Sequence, residues 1–445
     1  MQFLHTRLLF KNLYFIGLCL LAIACSNQQK VTKFAQKTVF KEQALQQAHI
    51  GISVYNATTQ KQVYSYQSNK YFVPASNTKI FTCYAALKHL GDSIIGLEVN
   101  EFSNRLVLKP TGDPTLLHTD FSHHPVVSFI QNTTKPIVID ASNWRTKHWG
   151  NGWAWNDYDA DYMVEKSAMP IYGNVVRFAG KKDSLQVLPK NFSSEKFIQF
   201  TNTKTDGLVS RVDRSLSANT FTLFNTGKVK RVVEVPFITS AQLSLELLSE
   251  VTGKSIELLA SKLVQETPVR SYTIASQPLD SLLKPLMHRS DNFYAEQTLL
   301  MTSQKLLQQL NEAQLIDTLL KTDFKDLPQA PRWVDGSGLS RYNLITPEDF
   351  VWVLLKMKDK IQWQRITTIL PTGNDGTLSN YYKNLEGKIF AKTGTLSGQV
   401  ALSGYLITKK QQTLVFSILV NNHQTSATTV RRSVEAFVNE LYEKY

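Results

Sequence analysis

Ser76 and Lys79 lie three residues apart in the stretch Pro74-Ala75-Ser76-Asn77-Thr78-Lys79, which opens an apolar helical pattern. Residues three apart share one face of a helix, so the lysine amine can reach the serine hydroxyl. An amine shielded from water can accept the hydroxyl proton and produce a nucleophile without histidine. The same spacing recurs at two further pairs, Ser193/Lys196 and Ser281/Lys284. The spacing alone is therefore a weak signal.

Two further clusters carry groups suited to the same chemistry. Ser290-Asp291-Asn292 follows a leucine run of helical periodicity, where a serine can relay a proton and an asparagine amide can hold a peptide backbone. A helix cap or turn is the plainer interpretation, since all three residue types favour both. Lys392-Thr393-Gly394-Thr395 closes an alternating strand, where a cation and hydroxyls can bind a carboxylate and glycine allows close backbone approach. The plainer interpretation of this cluster is a strand end with a turn.

The order and context of the three clusters distinguish them from chance. The serine-lysine pair stands at a helix start, Ser-x-Asn follows helical sequence, and Lys-Thr-Gly lies on a late strand. This is the motif set of penicillin-binding proteins and class A β-lactamases. The interval from Ser76 to Ser290 is more than twice that from Ser290 to Lys392, which indicates an insertion between the first two clusters. A compact β-lactamase needs a far shorter first interval.

With this insertion the chain resembles the low-molecular-mass class C penicillin-binding proteins, the D-alanyl-D-alanine carboxypeptidase/endopeptidase family. The resemblance covers roughly residues 45–445. Four further segments support it: 111–114 (TGDP), 152–157 (GWAWND), 335–341 (DGSGLSR) and 370–378 (LPTGNDGTL). It implies an α/β (α+β) fold of the penicillin-binding/β-lactamase-like transpeptidase type, in which helices flank an antiparallel sheet and β-rich subdomains are inserted.

The resemblance also implies acyl transfer to Ser76. Lys79 would take the Ser76 proton, Asn292 would hold the substrate backbone, and Ser290 with Lys392 would pass a proton to the leaving amine. Backbone N–H groups of Ser76 and Thr395 would stabilise the oxyanion. Thr393 and Thr395, with Gly394 between them, would hold the terminal carboxylate. The implied substrates are peptidoglycan stem peptides, with β-lactams as inhibitors and no cofactor or metal.

In similar enzymes the inserted domain and the loop that corresponds to residues 335–341 bind a diaminopimelate end. By motif position the residues would be Asp157, Arg341 and Ser397. The plainer interpretation is that Asp157 is a solvated loop carboxylate and that Arg341 forms a salt bridge that fixes the loop. A β-lactamase and a catalytically silent peptidoglycan-binding protein are the alternative functions.

Composition restricts the class of protein. The 445 residues are 42% hydrophobic and 19% charged, which excludes global disorder. The net charge of +13 suits an anionic polymer or membrane face. The basic residues form no long run, which argues against nucleic-acid binding. Cys83 lies in an apolar helical stretch, where a buried and inert thiol is expected.

The first residues have the pattern of a targeting signal. Arg7 and Lys11 precede the apolar stretch 13–24, which is too short to span a bilayer. Cys25 follows, as in a bacterial lipoprotein signal peptide of residues 1–25; cleavage after Ala24 as an ordinary secretory signal is the alternative. We therefore expect an exported, periplasmic protein with a lipid on Cys25 that anchors it to the membrane.

The rest of the chain is expected to form a tether and two structural parts. Residues 26–47 are polar and predict a tether. Residues 48–94 and 271–445 are assigned to the catalytic domain, and 95–270 to one or two inserted subdomains. Alternating patterns predict strands at 50–55, 62–66, 137–140, 387–392, 400–407 and 413–420. Helical periodicity predicts helices at 80–87, on both sides of Ser290, and at the C-terminus.

Overall fold

A computed structural model describes residues 29–201, 207–228, 231–259 and 266–445. The expected signal peptide and Cys25 lie outside the described residues. The chain forms two compact units, the first comprising residues up to Asn77, 327–332 and 344–445, and the second 78–326 and 333–343. This division differs from the predicted one, in which residues 48–94 and 271–445 form one part and residues 95–270 form the other.

The strands are numbered in chain order. They are β1 His49–Asn56, β2 Lys61–Tyr66, β3 Ser93–Glu101, β4 Leu106–Pro110, β5 Ile137–Ile139, β6 Val175–Ala179, β7 Gln186–Leu188, β8 Ile198–Thr201, β9 Arg211–Arg214, β10 Phe221–Phe224, β11 Val233–Pro236, β12 Ile256–Leu258, β13 Arg270–Pro278, β14 Ile389–Leu396, β15 Gln399–Ile407 and β16 Thr413–Asn421. All six predicted strands are present.

The α-helices are numbered likewise. They are α1 Lys79–His89, α2 Pro125–Asn132, α3 Ala241–Thr252, α4 Leu279–His288, α5 Asn292–Leu307, α6 Glu312–Lys321, α7 Pro347–Lys360, α8 Trp363–Ile369 and α9 Ala427–Lys444. Shorter 3₁₀ turns include Ala75–Thr78 and Trp155–Asp157. No helix among the described residues is both long and apolar enough to cross a membrane.

The first unit is built on one antiparallel sheet of order β14-β15-β16-β1-β2. Its strands come from both ends of the chain. Alternate residues of a strand face opposite sides, and the sheet uses both. Leu402 and Leu406 belong to the core that includes α9, whereas the Tyr405 hydroxyl donates to the carbonyl of Leu354 in α7. Helices therefore cover both faces, which confirms the predicted fold class.

The expected tether is wrong from residue 29 onward. Residues 29–35 are helical and continue into the π-helical turn Gln36–Phe40. Val31, Val39 and Leu45 are at most 1% exposed and belong to the same core as Phe437 and Leu441 of α9. A few apolar residues in a polar stretch are enough to bury one side of the segment, so these residues are part of the first unit.

The described residues of the second unit form three sheets. The largest has the order β12-β5-β4-β3-β13, with parallel pairing of β4, β5 and β12 and antiparallel pairing elsewhere. The other two are three-stranded, β11-β6-β7 and β8-β10-β9. Leucines of α3 share one core with strands of all three sheets. Residues 95–270, which the sequence predicts to be inserted, lie in this β-rich unit.

Helix α5 lies at the centre of the helical part of this unit. Residues 293–304 are all buried, and α1, α4 and α6 pack around them. Asp291 caps the helix by accepting a hydrogen bond from the N–H of Tyr294 at 2.9 Å. Cys83 of α1 forms no disulfide and has no exposed surface, so its thiol is buried, as expected.

Candidate active site

The 3₁₀ turn that carries Ser76 is attached to the sheet of the first unit by two asparagines. Nδ2 of Asn77 donates to Oγ of Ser403 on β15 at 2.7 Å. Asn421 on β16 accepts from the N–H of Val73 at 2.7 Å and donates to its carbonyl at 3.0 Å. Side chains of two central strands thus fix the backbone on both sides of Ser76.

Gly394 brings strand β14 against the same turn. A Cβ atom at this position would lie 2.7 Å from the Pro74 carbonyl oxygen and 3.1 Å from the Ser76 nitrogen. Real Cβ atoms essentially never approach to less than 3.0 Å, so any side chain here would force the strand and the turn apart. The glycine is therefore a requirement of packing between Lys392-Thr393 and the backbone of Ser76.

The remaining residues of the third cluster lie along β14. Lys392 is fully buried, and its Nζ donates to the carbonyl of Thr393 at 2.7 Å. Thr393 is half-buried and Thr395 is exposed, so both occupy the face opposite the buried Gly394. Ser397 is exposed in the turn to β15. This unit therefore presents two threonine hydroxyls beside the glycine that contacts the Ser76 turn.

Lys79, the first residue of α1, lies at the centre of a polar group in the second unit. Its side chain is fully buried. Nζ donates to Oδ1 of Asn292 at 2.6 Å and to the carbonyl of Ser337 at 2.8 Å. The Ser-x-x-Lys and Ser-x-Asn clusters are thus joined directly through Lys79 and Asn292.

Burial changes the acidity of Lys79. Removal from water lowers the pKa of Lys79 to about 8, and the carboxylates of Asp335, Glu296 and Asp291 oppose this decrease because they favour the ammonium form. A lysine with an ordinary pKa of 10.5 is almost entirely protonated at neutral pH. A larger fraction of Lys79 than of an exposed lysine is therefore neutral at neutral pH and able to accept a proton.

The segment 335–341 is organised by carboxylates. Glu296 accepts from the backbone N–H groups of Gly336 and Ser337 at 3.2 and 2.8 Å. Asp335 accepts from the N–H groups of Gly338 and Ser340 at 2.9 and 2.6 Å. Burial, then the neighbouring Asp335, raises the pKa of Glu296 to about 7. These bonds fix the Ser337 carbonyl that accepts from Lys79.

Asp157 is connected to this group through Tyr162. Nδ2 of Asn292 donates to the Tyr162 carbonyl at 2.9 Å. Burial, then the adjacent carboxylate of Asp157, which accepts from its hydroxyl, raises the pKa of Tyr162. The loop around Asp157 also contacts 335–341, since the Trp153 indole donates to Asp335 at 3.0 Å. Arg341 is exposed at the end of this segment.

Ser290 occupies a strained backbone position between α4 and α5. Its φ of 62° lies in the left-handed region that a non-glycine residue rarely adopts. On its N-terminal side Arg289 forms two hydrogen bonds with Asp120, at 2.9 and 2.5 Å, and the Tyr294 hydroxyl donates to the same carboxylate at 2.8 Å. This network fixes the turn that presents Ser290.

Sequence reasoning missed Glu296 and the role of Asp335. The position of Glu296 four residues after Asn292 places both on one helix face, a signal that could have identified it. Asp335 lies in the segment 335–341, but the sequence pattern did not indicate a role for its side chain. Among the described residues, no group of three or more His, Cys, Asp and Glu side chains could hold a metal ion.

The first unit has a sheet assembled from both chain ends and a serine turn packed on a Lys-Thr-Gly strand. The second unit has a buried lysine bonded to Asn292. These features define the class of serine enzymes to which penicillin-binding proteins belong. Residues 33–441 match the model of the D-Ala-D-Ala carboxypeptidase 3 (S13) family. The chain belongs to this family and is a serine-type DD-peptidase.

Individual relatives are distant but extend over most of the chain. D-alanyl-D-alanine carboxypeptidase DacB of Haemophilus influenzae is 23% identical over 449 residues, covering 89% of this chain and 91% of the relative. D-alanyl-D-alanine carboxypeptidase of an Actinomadura species is 27% identical over 458 residues, covering 91% and 84%. The crystal structure of penicillin-binding protein 4 from H. influenzae superposes with a TM-score of 0.71 at 22% identity, covering 93% and 99%, and shows the shared fold.

Proposed function

We propose that this DD-peptidase cleaves the peptide bond after D-Ala in peptidoglycan stem peptides through an acyl-enzyme on Ser76. The observation that carries the proposal is Lys79: fully buried, held by Asn292 and the Ser337 carbonyl, and lowered in pKa to about 8. Activation of a serine three residues earlier on the chain requires a buried amine that can lose its proton near neutral pH.

In the proposed reaction, neutral Lys79 accepts the Ser76 proton as Oγ attacks the carbonyl of the penultimate D-Ala. The N–H groups of Ser76 and Thr395 stabilise the oxyanion. The close approach of Gly394 to the Ser76 nitrogen supports this assignment, because it brings the β14 backbone to that N–H group. Ser290 and Lys392 return a proton to the leaving amine, and water then hydrolyses the ester.

The substrate is held by the residues that the sequence suggested. Thr393 and Thr395 bind the carboxylate on the leaving side, and Asn292 binds the peptide backbone. Asp157, Arg341 and Ser397 bind a diaminopimelate end. Support for Asp157 comes from its connection through Tyr162 to Asn292. Carboxypeptidase and endopeptidase cleavage use the same acyl-enzyme, and both belong to the proposal.

The proposed location is the periplasm, with the chain anchored by a lipid on Cys25. The support is the sequence pattern of residues 1–25 and the burial of Val31, Val39 and Leu45 in the first unit, which places the folded protein only a few residues after Cys25. β-Lactams, which imitate D-Ala-D-Ala, are expected to acylate Ser76 and remain attached.

A soluble chain beginning at Ser26, incubated with a fluorescent penicillin, tests the nucleophile. Covalent label is expected on the parent and absent from Ser76→Ala. Ser193→Ala is the matched control, because this exposed serine also precedes a lysine by three residues and should label like the parent. A folded parent without label contradicts the acyl-enzyme and favours the silent peptidoglycan-binding alternative. Rapid release of the label as penicilloate favours the β-lactamase.

A further inference from the structure

An arginine of the C-terminal helix contacts the strand that carries the Lys-Thr-Gly cluster. Nη2 of Arg431, in the second turn of α9, donates to Oγ1 of Thr395 at 2.7 Å. Thr395 is exposed on β14, whereas Arg431 is half-buried. Both belong to the first unit, as do Gly394 and Ser76.

Among the residues that the structure describes, no carboxylate forms an ion pair with Arg431. Its neighbours within the described part of the chain are the neutral Thr395 hydroxyl and the ring of Tyr381, whose centroid lies 5.9 Å from the guanidinium carbon. The adjacent Arg432 differs, since it pairs with Glu435 at 2.5 Å. A guanidinium has five N–H donors in an arrangement that suits a carboxylate. The Thr395 hydroxyl accepts from one of them, so most of the N–H donors of Arg431 can still bind a ligand.

The space near this pair is a small recess of about 20 Å³ with a mainly apolar lining. Thr393, Arg431 and Tyr381 line it, and so does Thr377. Oγ1 of Thr377 is buried and has no hydrogen-bond partner among the described residues. A buried polar atom without a partner is costly, and a water molecule, for which a recess of this size has room, would provide an acceptor for it. Two hydroxyls and a cation therefore converge on one small volume.

The recess is close to the nucleophile along the strand. Thr393 and Thr395 flank Gly394, whose Cβ position lies 3.1 Å from the Ser76 nitrogen. A group bound between Thr395 and Arg431 is thus one residue along β14 from the point of contact with the Ser76 turn. In the proposed reaction the residue on the leaving side of the scissile bond lies beside this part of β14, because Thr393 and Thr395 hold its carboxylate.

We propose that Arg431 is a specificity-determining residue that binds the carboxylate of the substrate residue following the scissile bond. The inference rests on the proposed function and adds a residue to it. The substrate carboxylate takes one N–H of Arg431 together with the Thr395 hydroxyl, so that only peptides with a free carboxylate at this position are acylated efficiently.

Hydrolysis of an Nα-acylated peptide ending in D-Ala-D-Ala is compared with that of its C-terminal carboxamide. The parent is expected to favour the carboxylate. Arg431→Ala is expected to lower kcat/KM for the carboxylate peptide about 10- to 100-fold, the range of a lost charge-assisted hydrogen bond, and to leave the carboxamide within about twofold. Arg432→Ala is the matched control and should leave both unchanged.

Arg431→Gln provides a second variant in which a donor to Thr395 is retained without the charge; it should lose the same preference. An equal loss on both peptides in both variants, or an unchanged preference, overturns the inference. Labelling of Ser76 by penicillin is a separate measurement. A chain that is acylated on Ser76 but keeps its preference without Arg431 contradicts only this inference, whereas an unlabelled parent contradicts the proposed function.

Discussion

Nζ of Lys79 lies 2.6 Å from Oδ1 of Asn292, and the same amide donates through Nδ2 to the carbonyl of Tyr162. One side chain thus connects the buried amine to the loop that carries Asp157. The amide orientation is determined by these two bonds, because the oxygen must face the ammonium group and the nitrogen must face the carbonyl.

The lowered pKa of Lys79 predicts how acylation depends on pH. In the proposed reaction only the neutral amine accepts the Ser76 proton, and its fraction increases as pH rises through the folded pKa of about 8. The rate of acylation by penicillin is therefore expected to increase with pH and to reach half its maximum near pH 8. Stopped-flow acylation between pH 6 and about 10 measures this. A half-maximum near 10.5, the value of an ordinary lysine, would contradict the assignment.

Asn292→Asp and Asp291→Asn are expected to move this profile in opposite directions. An added carboxylate at 292 stabilises the ammonium form, raises the pKa of Lys79 and moves the profile to higher pH. Removal of the Asp291 charge, which raises the pKa of Lys79, moves the profile to lower pH. Asparagine at 291 can still cap α5, so its fold is retained. Shifts in the same direction would show that Lys79 does not control the rate.

Gly394→Ala is expected to separate β14 from the Ser76 turn. The new methyl group would lie 2.7 Å from the Pro74 carbonyl oxygen, and an overpacked position costs about 1–3 kcal/mol of unfolding free energy. A displacement of about 1 Å at a reacting group lowers its rate about 100-fold. Acylation rates and thermal denaturation measure both effects.

Gly387→Ala is the control for this substitution. Its position is open, but its φ of 67° costs an alanine about 1 kcal/mol. Stability should decrease while acylation stays at the parent rate. If the two variants lose acylation equally, the effect of Gly394→Ala is not specific to its contact with the Ser76 turn.

Leu45→Ala tests whether the N-terminal segment belongs to the folded unit. Leu45 is 1% exposed in the core with α9, so truncation should lower the unfolding free energy by about 2–5 kcal/mol. Gln46→Ala changes an exposed neighbour and should have an effect within about 0.5 kcal/mol. Denaturant unfolding compares the two. A Leu45→Ala variant as stable as the parent would restore the interpretation as a tether.

Local patterns in the sequence predicted much of the framework. Strand alternation placed β1, β2 and β14–β16 to within a few residues, because each pattern reflects which side of one strand is buried. The three clusters were recognisable for a similar reason: Ser76 and Lys79 are separated by one helical turn, and Thr393–Thr395 are consecutive on one strand. Such relationships are contained in a few neighbouring residues.

The sequence by itself determined which residue types stand at the helix start, at the turn before α5 and on β14, and hence the class of reaction. Only the tertiary structure decided the pKa of Lys79, the contact of Gly394 with Ser76, the burial of Val31, Val39 and Leu45, and the pairing of Arg431 with Thr395. Each depends on groups far apart along the chain: the acidity of Lys79 on carboxylates at 291, 296 and 335, and the burial of Leu45 on α9. Desolvation and packing act through space, and no local pattern records which distant surface excludes the water.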